Sequence, residues 1–395
     1  MLKANVGYSI NLDSYTMGVE SITKSTEGLE DVKINFVFQS IKNDFKEINK
    51  GIRSVNKAPI IGCTSSGGLI VPDGVIVGTD GYTGILSLDD PTMTIGIACH
   101  EAGKNAREIG RKVAIEAVKD AKSTRAPSYF YMVATPKEEE EYLMGIQDVI
   151  GRVPMFGGTT ADDDISGKWE IICNDKILKD GVAVAFFYTD NEIVTSFTGE
   201  YKETKNIGLI TEVKNNRTLV TIDEISALKK YAHWIRKTPN DLQGNNLLLE
   251  SVTKPLGVKD PLGNLTVIRH PMFGNDMGTK TTTDDTITLG NKIVAGTAII
   301  QLEATKQDLI DAPSKTVKDV KRKIYTEPAA YIIFHSAGRK MVIADKLDIV
   351  HKQLLRETKK TPFIVAFTFG EFGYEEHSAN ICGGLMISTT AFGKN

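Results

Sequence analysis

An α/β fold in two domains, with mixed sheets assembled from repeated β-α-β units and antiparallel extensions, is the architecture this sequence predicts, with α+β as the alternative. Three observations predict it. A strand-helix-strand plan ending in a glycine-containing turn is written three times: INFVFQS to APIIGCTSSGG, PSYFYMVATP to VPMFGGTTADDD, and AAYIIFHSAGR to TPFIVAFTFGEFG. The segments joining the paired strands repeat apolar residues at helical spacing. Turn-separated runs follow the first two units, GVIVGTDGYTGILSLDDPTMTIGIAC and KWEIICNDKILKDGVAVAFFYTDNEIVTSF, and read as antiparallel extensions.

Taken in order, the leading strands Phe36 to Phe38, Tyr129 to Val133 and Tyr331 to Phe334 are short, aromatic and β-branched, as buried strands are. The first helix places Ile41, Phe45, Ile48, Ile52 and Val55 on one face, the second Leu143, Ile146 and Ile150, and the third Leu347, Val350 and Leu354. Thr135 and Glu138 have the spacing of a capping box with Pro136 at the first helical position, and Asp345 is placed to cap the third helix. Pro59, Pro154 and Pro362 each follow a helix and bias the chain toward the next strand. Asn174-Asp175, Lys179-Asp180-Gly181 and Asp190-Asn191 mark turns between the antiparallel runs. The shared order of parts in the first two units points to an internal duplication. Residues 215 to 330 read as a different insert ahead of the third unit, with a strand, a helix around Leu228 to Ile235, and loops and strands through Gly296. The polar stretch YKETKNIGLITEVKNNR carries the boundary, giving domains 1–212 and 213–395.

With 395 residues, 41% of them hydrophobic and 25% charged, the chain has the apolar content for two ordinary cores. Lys and Arg total 47 against 50 for Asp and Glu, a net charge of -3, so there is no overall positive field and nucleic acid is not an expected partner. The basic cluster Lys318 to Lys323 is interrupted by Asp319 and reads as a solvated helix face. MLKANVGYSINLDSYTMG lacks a signal-peptide core, and no run approaches the roughly 20 apolar residues of a membrane span. A cytoplasmic protein with no membrane association is therefore expected. Cys63, Cys99, Cys173 and Cys382 are far apart and form no C-x-x-C pair, which predicts neither a disulfide framework nor a zinc site. His100, His233, His270, His335, His351 and His377 form no metal-binding pattern and read as structural.

Right-handed crossovers make the two strands of each unit parallel, so the loops leaving them emerge at one sheet edge, where ligands of open α/β sheets bind. On that logic HSAGR and GEFG lie together, with Arg339 available to a ligand carboxylate and Glu371 to an ammonium group. The turn Gly62-Cys63-Thr64-Ser65-Ser66-Gly67-Gly68 offers amides and hydroxyls to an anion, although it matches no dinucleotide or P-loop spacing; a tight turn at a sheet edge is the alternative. Gly157-Gly158-Thr159-Thr160-Ala161-Asp162-Asp163-Asp164 places three carboxylates after a similar turn, suited to an ammonium group or a hard cation, with Asx-type turn bonds expected for at least two of them. Cys63 follows a glycine at a strand end but has no nearby histidine in sequence to activate it, and reads as a small buried hydrophobe.

Taken together, VGYS (Val6 to Ser9), NFVFQS, PIIGCTSSGG and PMFGGTTADDD resemble the FIST N domain of the FIST proteins, an intracellular sensory family. TLVTIDEISALKKYAHWI, VIRHP (Val267 to Pro271), GTAIIQLEA, SAGR and FGEFG followed by Asn380 resemble FIST C, so the likeness spans nearly the whole chain. Ser336 stands where the family often has Cys before A-G-R, and Asp223 to Ala227 where it has D-G-x-P-A. The resemblance implies recognition of small molecules, amino acids or similar metabolites, in a family whose members often feed kinases, cyclases or chemoreceptors. The sequence ends at Asn395 without an output domain and is expected to signal through a partner protein or to act as a stand-alone binder. The expected ligand-binding set is Gly62, Cys63, Thr64, Ser65, Gly157, Gly158, Thr159, Asp162, Arg339, Glu371 and Asn380, with no catalytic residue, metal or cofactor. Two other readings stay open: a haem gas sensor, as some relatives are, with one histidine as proximal ligand, and a hydrolase or transferase using Cys63 or a carboxylate pair.

Overall fold

In the computed structural model, which describes residues 1–243, 245–260, 263–274, 285–376 and 379–394, three units carry one plan. The first runs β1 (Lys3–Ser9), α1 (Ser14–Ser25), β2 (Val32–Gln39), α2 (Phe45–Val55), β3 (Ile60–Thr64), the hairpin β4 (Leu69–Val71) and β5 (Gly74–Ile76), and β6 (Thr83–Asp89). The second runs β7 (Thr94–Glu101), α3 (Ala106–Ala121), β8 (Tyr129–Ala134), α4 (Glu139–Ile150), β9 (Met155–Thr159), the hairpin β10 (Ile171–Cys173) and β11 (Lys176–Leu178), and β12 (Gly181–Tyr188). The third opens with β13 (Ile193–Thr198) and is then interrupted by an insert. The insert comprises β14 (Lys202–Lys214), β15 (Thr218–Ile222), β16 (Ile225–Ser226), α5 (Ala227–Trp234), α6 (Asn245–Thr253), β17 (Leu256–Lys259), β18 (Thr266–Arg269), β19 (Pro271–Gly274), β20 (Ile287–Leu289) and β21 (Ala298–Glu303). The unit resumes as α7 (Lys306–Lys323), β22 (Pro328–Ser336), α8 (Ala337–Ile343), α9 (Leu347–Thr358), β23 (Phe363–Thr368), the hairpin β24 (Glu371–Tyr374) and β25 (Asn380–Gly383), and β26 (Ile387–Gly393).

The β-α-β reading holds at all three places: β2 and β3, β8 and β9, and β22 and β23 are the parallel pairs, with Phe36 opposite Ile61, Tyr131 opposite Phe156 and Phe334 opposite Ala366. The three sheets share one order, β1-β6-β2-β3-β10-β11, β7-β12-β8-β9-β24-β25 and β13-β26-β22-β23-β4-β5. Each sheet thus holds four strands of its own unit and a hairpin donated by another. The second unit donates to the first, the third to the second, and the first to the third, which closes the ring. Of the runs expected to be simple antiparallel extensions, the first holds β5 and the second the β10–β11 hairpin, and these extend a neighbouring sheet rather than their own.

The inner faces of the sheets meet on one aromatic core. Phe36 and Tyr131 pack edge-on at 5.2 Å, Tyr131 stacks on Phe334 at 5.8 Å, and Phe156 meets Phe392 at 5.7 Å. All five residues are fully or almost fully buried. Helices α1 with α2, α3 with α4, and α7 with α9 pack as pairs against these sheets. The insert forms its own sheet, β18-β17-β21-β14-β15-β20-β19 with β16 on β15, around a core that includes Leu228, Tyr231 and Ile287. The position between residues 212 and 213 falls inside β14, which pairs with both β21 and β15. Among the described residues no helix is long and apolar enough to cross a membrane.

Two expected caps are not used. Thr135 spends its hydroxyl on Asp180, and α4 starts only at Glu139, because Lys137 takes a left-handed conformation (φ 112°) that breaks the turn a Thr135 cap would need. Asp345 lies inside a continuous helical path from α8 to α9 and pairs with Lys306 at 2.6 Å, so it has no free helix end to cap. Ile41 precedes the first helix, which Asp44 caps by accepting from the Lys46 and Glu47 amides.

Candidate functional site

The carboxyl ends of the parallel strands in all three units open toward one cleft of about 560 Å³. Ser66 enters it from the turn after β3. Thr159, the Asp162 to Ile165 segment and Trp169 come from the loop after β9, with Pro136 and Glu139 from the loop after β8. Ser336, Ala337, Gly338 and Met341 come from the turn after β22, Phe369 and Gly370 from the turn after β23, and Gly384 from the turn before β26. The insert supplies the opposite wall with Leu248 and Leu249 of α6, His270, Met272, Phe273, Gly290 and Asn291. The HSAGR and GEFG turns therefore share a rim, as parallel strand order requires.

Several expected site residues have other work. Arg339 is fully buried beneath the cleft, where it donates to the Gly199 and Leu385 carbonyls and lies 5.3 Å from the Tyr201 ring centre. Glu371, also fully buried, accepts from the Met386 amide at 2.9 Å and from Thr368 at 3.0 Å. The two side chains thus hold successive groups of the Leu385–Met386 link, and neither lines the cleft. Burial pushes the Glu371 carboxyl well above the ordinary carboxylate range, against the pull of those hydrogen bonds and of Arg339. Asn380 donates to the Val153 carbonyl at 2.8 Å, tying β25 to the segment before β9.

The glycine-turn residues lace the units together. Thr64 accepts from the Glu170 amide at 3.2 Å, Ser65 from Phe367 at 2.9 Å and Thr159 from Gly370 at 2.7 Å, each bond crossing from one unit to another. Gly62 and Gly157 are needed inside their strands, because a Cβ at either would collide with the carbonyl of Val37 or Met132 on the neighbouring parallel strand. Gly158 faces Glu371 in the β9–β24 ladder. Cys63 sits in the central core, where burial alone pushes its thiol far up, so it has neither the exposure nor the thiolate of a nucleophile. Of the expected set, Thr159 and Asp162 reach the cleft. Asp162 there caps its own loop, accepting from the Ile165, Gly167 and Lys168 amides, while Asp163 accepts from Gly67 at 2.6 Å. The Asp162 bonds are local turn bonds of the kind expected, whereas the Asp163 bond reaches across to the turn of the first unit.

The chemically distinctive atoms of the cleft lie in the insert. His270 is 7% exposed and Asn291 2%, yet His270 Nε2 and Asn291 Oδ1 have no hydrogen-bond partner. Burial pushes the His270 ring down to about 4, with a hydrogen bond to the Leu248 backbone acting the other way, so the imidazole is neutral at pH 7. Glu139, 2% exposed, is pushed up to about 7 by burial and by Glu140, against the opposing charge of Arg217 at 3.2 Å. Trp169 and Phe369 stand edge-on at 6.0 Å on the apolar side. Sequence reading passed over His270, which lies within VIRHP, because no metal-type spacing marks it, and over Asn291, for which no local signal exists. Trp169, one of only two tryptophans, was the available hint.

Of the other histidines, His335 is buried with Nε2 unpaired, and burial with the charges of Arg339 and Lys340 holds it down to about 3. His351 meets the Pro72 carbonyl at 3.0 Å, His100 meets Glu116 at 3.0 Å, and His233 is exposed. His377 lies outside the described residues. No group of three or more His, Cys, Asp or Glu among the described residues is arranged to hold a metal ion.

Among solved structures, the chain is similar to a cyanuric acid hydrolase from A. caulinodans, with 9% identity over 100% of both chains and a TM-score of 0.37. A second cyanuric acid hydrolase structure shares 9% identity over 99% of this chain and 100% of that one (TM-score 0.31), and PurLQS from Thermotoga maritima 9% over 99% and 72% (TM-score 0.24). Scores this low carry no functional argument. No curated protein matches the chain. The family models do match: the FIST N domain over residues 33–225 and the FIST C domain over residues 227–374. FIST domains are associated with sensory and signal-transduction roles. With the two models meeting at residue 226 and the cleft drawing walls from both, the chain belongs to the FIST family.

Proposed function

We propose that this protein is a sensory binder of a small polar metabolite, of the size of an amino acid or amine, whose ligand occupies the cleft between the three-unit body and the insert. One observation carries the reading: two buried acceptors on that cleft, His270 Nε2 and Asn291 Oδ1, have no partner. A buried polar group left unpaired costs about 1–3 kcal/mol, which a ligand donating to it recovers. The volume of about 560 Å³ falls within the usual range for small-molecule sites. Because one wall belongs to the insert and the others to the three units, a ligand touching both favours one relative arrangement of the two. That population shift is the signal a partner protein would read.

Thermal-shift screening with amino acids, small amines, organic acids and hemin tests the proposal, since a ligand of the folded state raises Tm by mass action. A specific hit whose affinity drops roughly tenfold in His270→Ala is expected, the size of one lost buried hydrogen bond. A hit indifferent to His270→Ala would move the ligand elsewhere. Hemin is the informative control, because His270 lines the cleft and its Nε2 has no partner; a Soret band that depends on His270 would replace the metabolite reading with haem binding.

A further inference from the structure

We infer that the cleft selects a ligand with a cationic amine, donating N–H groups toward His270 and Asn291 while its apolar body lies against Trp169 and Phe369. This rests on the cleft being the ligand site. The charge of the walls is one-sided. Glu139, Asp162, Asp163 and Asp164 line the cleft, and no Lys or Arg does so among the described residues. The nearby cations are engaged at the edges: Arg217 with Glu139 and Glu140, and Lys340 with the Ser66 carbonyl at 2.8 Å. Arg339, the cation that sequence reasoning assigned to a ligand carboxylate, is sealed below the floor by its bonds to Gly199 and Leu385.

The second observation is independent of charge. His270 and Asn291 are each more than nine-tenths buried, and their unpaired atoms are both acceptors. With one ring nitrogen of neutral His270 facing the Leu248 backbone, Nε2 keeps its lone pair. A ligand carboxylate brings only acceptors and would leave these atoms unpaired in a cleft whose charged lining is acidic. A protonated amine brings up to three donors and a compensating charge. The aromatic pair adds a surface on which an alkyl or aryl ammonium is favourable.

Isothermal titration with two matched triplets decides the point: phenethylamine, phenylalanine and hydrocinnamate, then pentylamine, norleucine and hexanoate. Within a triplet the skeleton is constant and only the charged groups change. The expected result is that the amine binds roughly tenfold or more tighter than the carboxylate, with the amino acid between. Asn291→Leu should weaken the amine roughly tenfold. Asp164→Asn, at an exposed position where folding is not at stake, should weaken it about twofold to threefold and leave hydrocinnamate unchanged or improved. Tighter binding by the carboxylates would overturn the amine assignment while leaving the cleft as a ligand site. Absence of binding by all six compounds would overturn both.

Discussion

Arg339 and Glu371 show how a side chain can be correctly grouped and still be given the wrong task. Parallel strand order placed their turns on one rim, but the Leu385–Met386 link passes between them and takes both groups, one at its carbonyl and one at its amide. No spacing in sequence announces that link, which arrives from 14 residues beyond Glu371. The cysteines make the same point through burial. Cys63, Cys173 and Cys382 are pushed above the ordinary thiol range, Cys63 and Cys382 chiefly by burial and Cys173 by its contact with Cys99. Cys99 is held below that range by Cys173 and Lys176, and it lines a separate surface depression with them. Limiting thiol reagent at pH 7.5 should therefore label Cys99 about tenfold or more faster than Cys63 or Cys382, which should react only on unfolding. Peptide mapping by mass spectrometry reads this directly, and native labelling of Cys63 at a comparable rate would contradict its place in the core.

Helix α4 was legible as an amphipathic segment, but its acidic start has a use that periodicity does not reveal. Glu138 to Glu141 dock the insert: Arg217 meets Glu140 at 2.9 Å, and Lys292 meets Glu138 at 3.1 Å and Glu141 at 3.2 Å. Concentrating four carboxylates there leaves Glu139 buried among like charges, with its carboxyl pushed up to about 7. A carboxyl raised above its unfolded value near 4.5 favours the folded state fully below pH 4.5, and that contribution is lost as pH rises through 7. Glu139→Gln removes the titration and keeps an acceptor for the Lys137 amide. The variant should gain about 2–3 kcal/mol over the parent between pH 5 and pH 8, the size of a shift from 4.5 to about 7 with Arg217 in place. Urea unfolding at several pH values measures it; a difference that is flat with pH would mean that Glu139 is ionised throughout.

At the scale of the whole molecule, the exchange of hairpins decides what can fold alone. The first unit's β4–β5 hairpin pairs with β23, and the third unit's β24–β25 hairpin pairs with β9. A fragment of residues 1–212 would lose both partners, as well as Phe334 and Phe392 from the aromatic core. We expect residues 1–212 alone to show no cooperative unfolding transition, and co-expressed 1–212 and 213–395 to recover one by association. Circular dichroism with urea titration checks this. A sharp, independent transition for 1–212 would mean that the shared hairpins add little.

The sequence by itself determined the three β-α-β units, the apolar faces of their helices, the family, and the sharing of one rim by the turns after β22 and β23, because hydrophobic period and crossover handedness act locally and carry over to strand order. The tertiary structure alone decided which sheet each hairpin joins, that the glycine-turn hydroxyls tie units together, and that the cleft's free acceptors come from the insert. Those outcomes depend on which buried polar groups find partners once distant segments meet, and burial of that kind is a property of the assembled core that no single stretch of chain encodes.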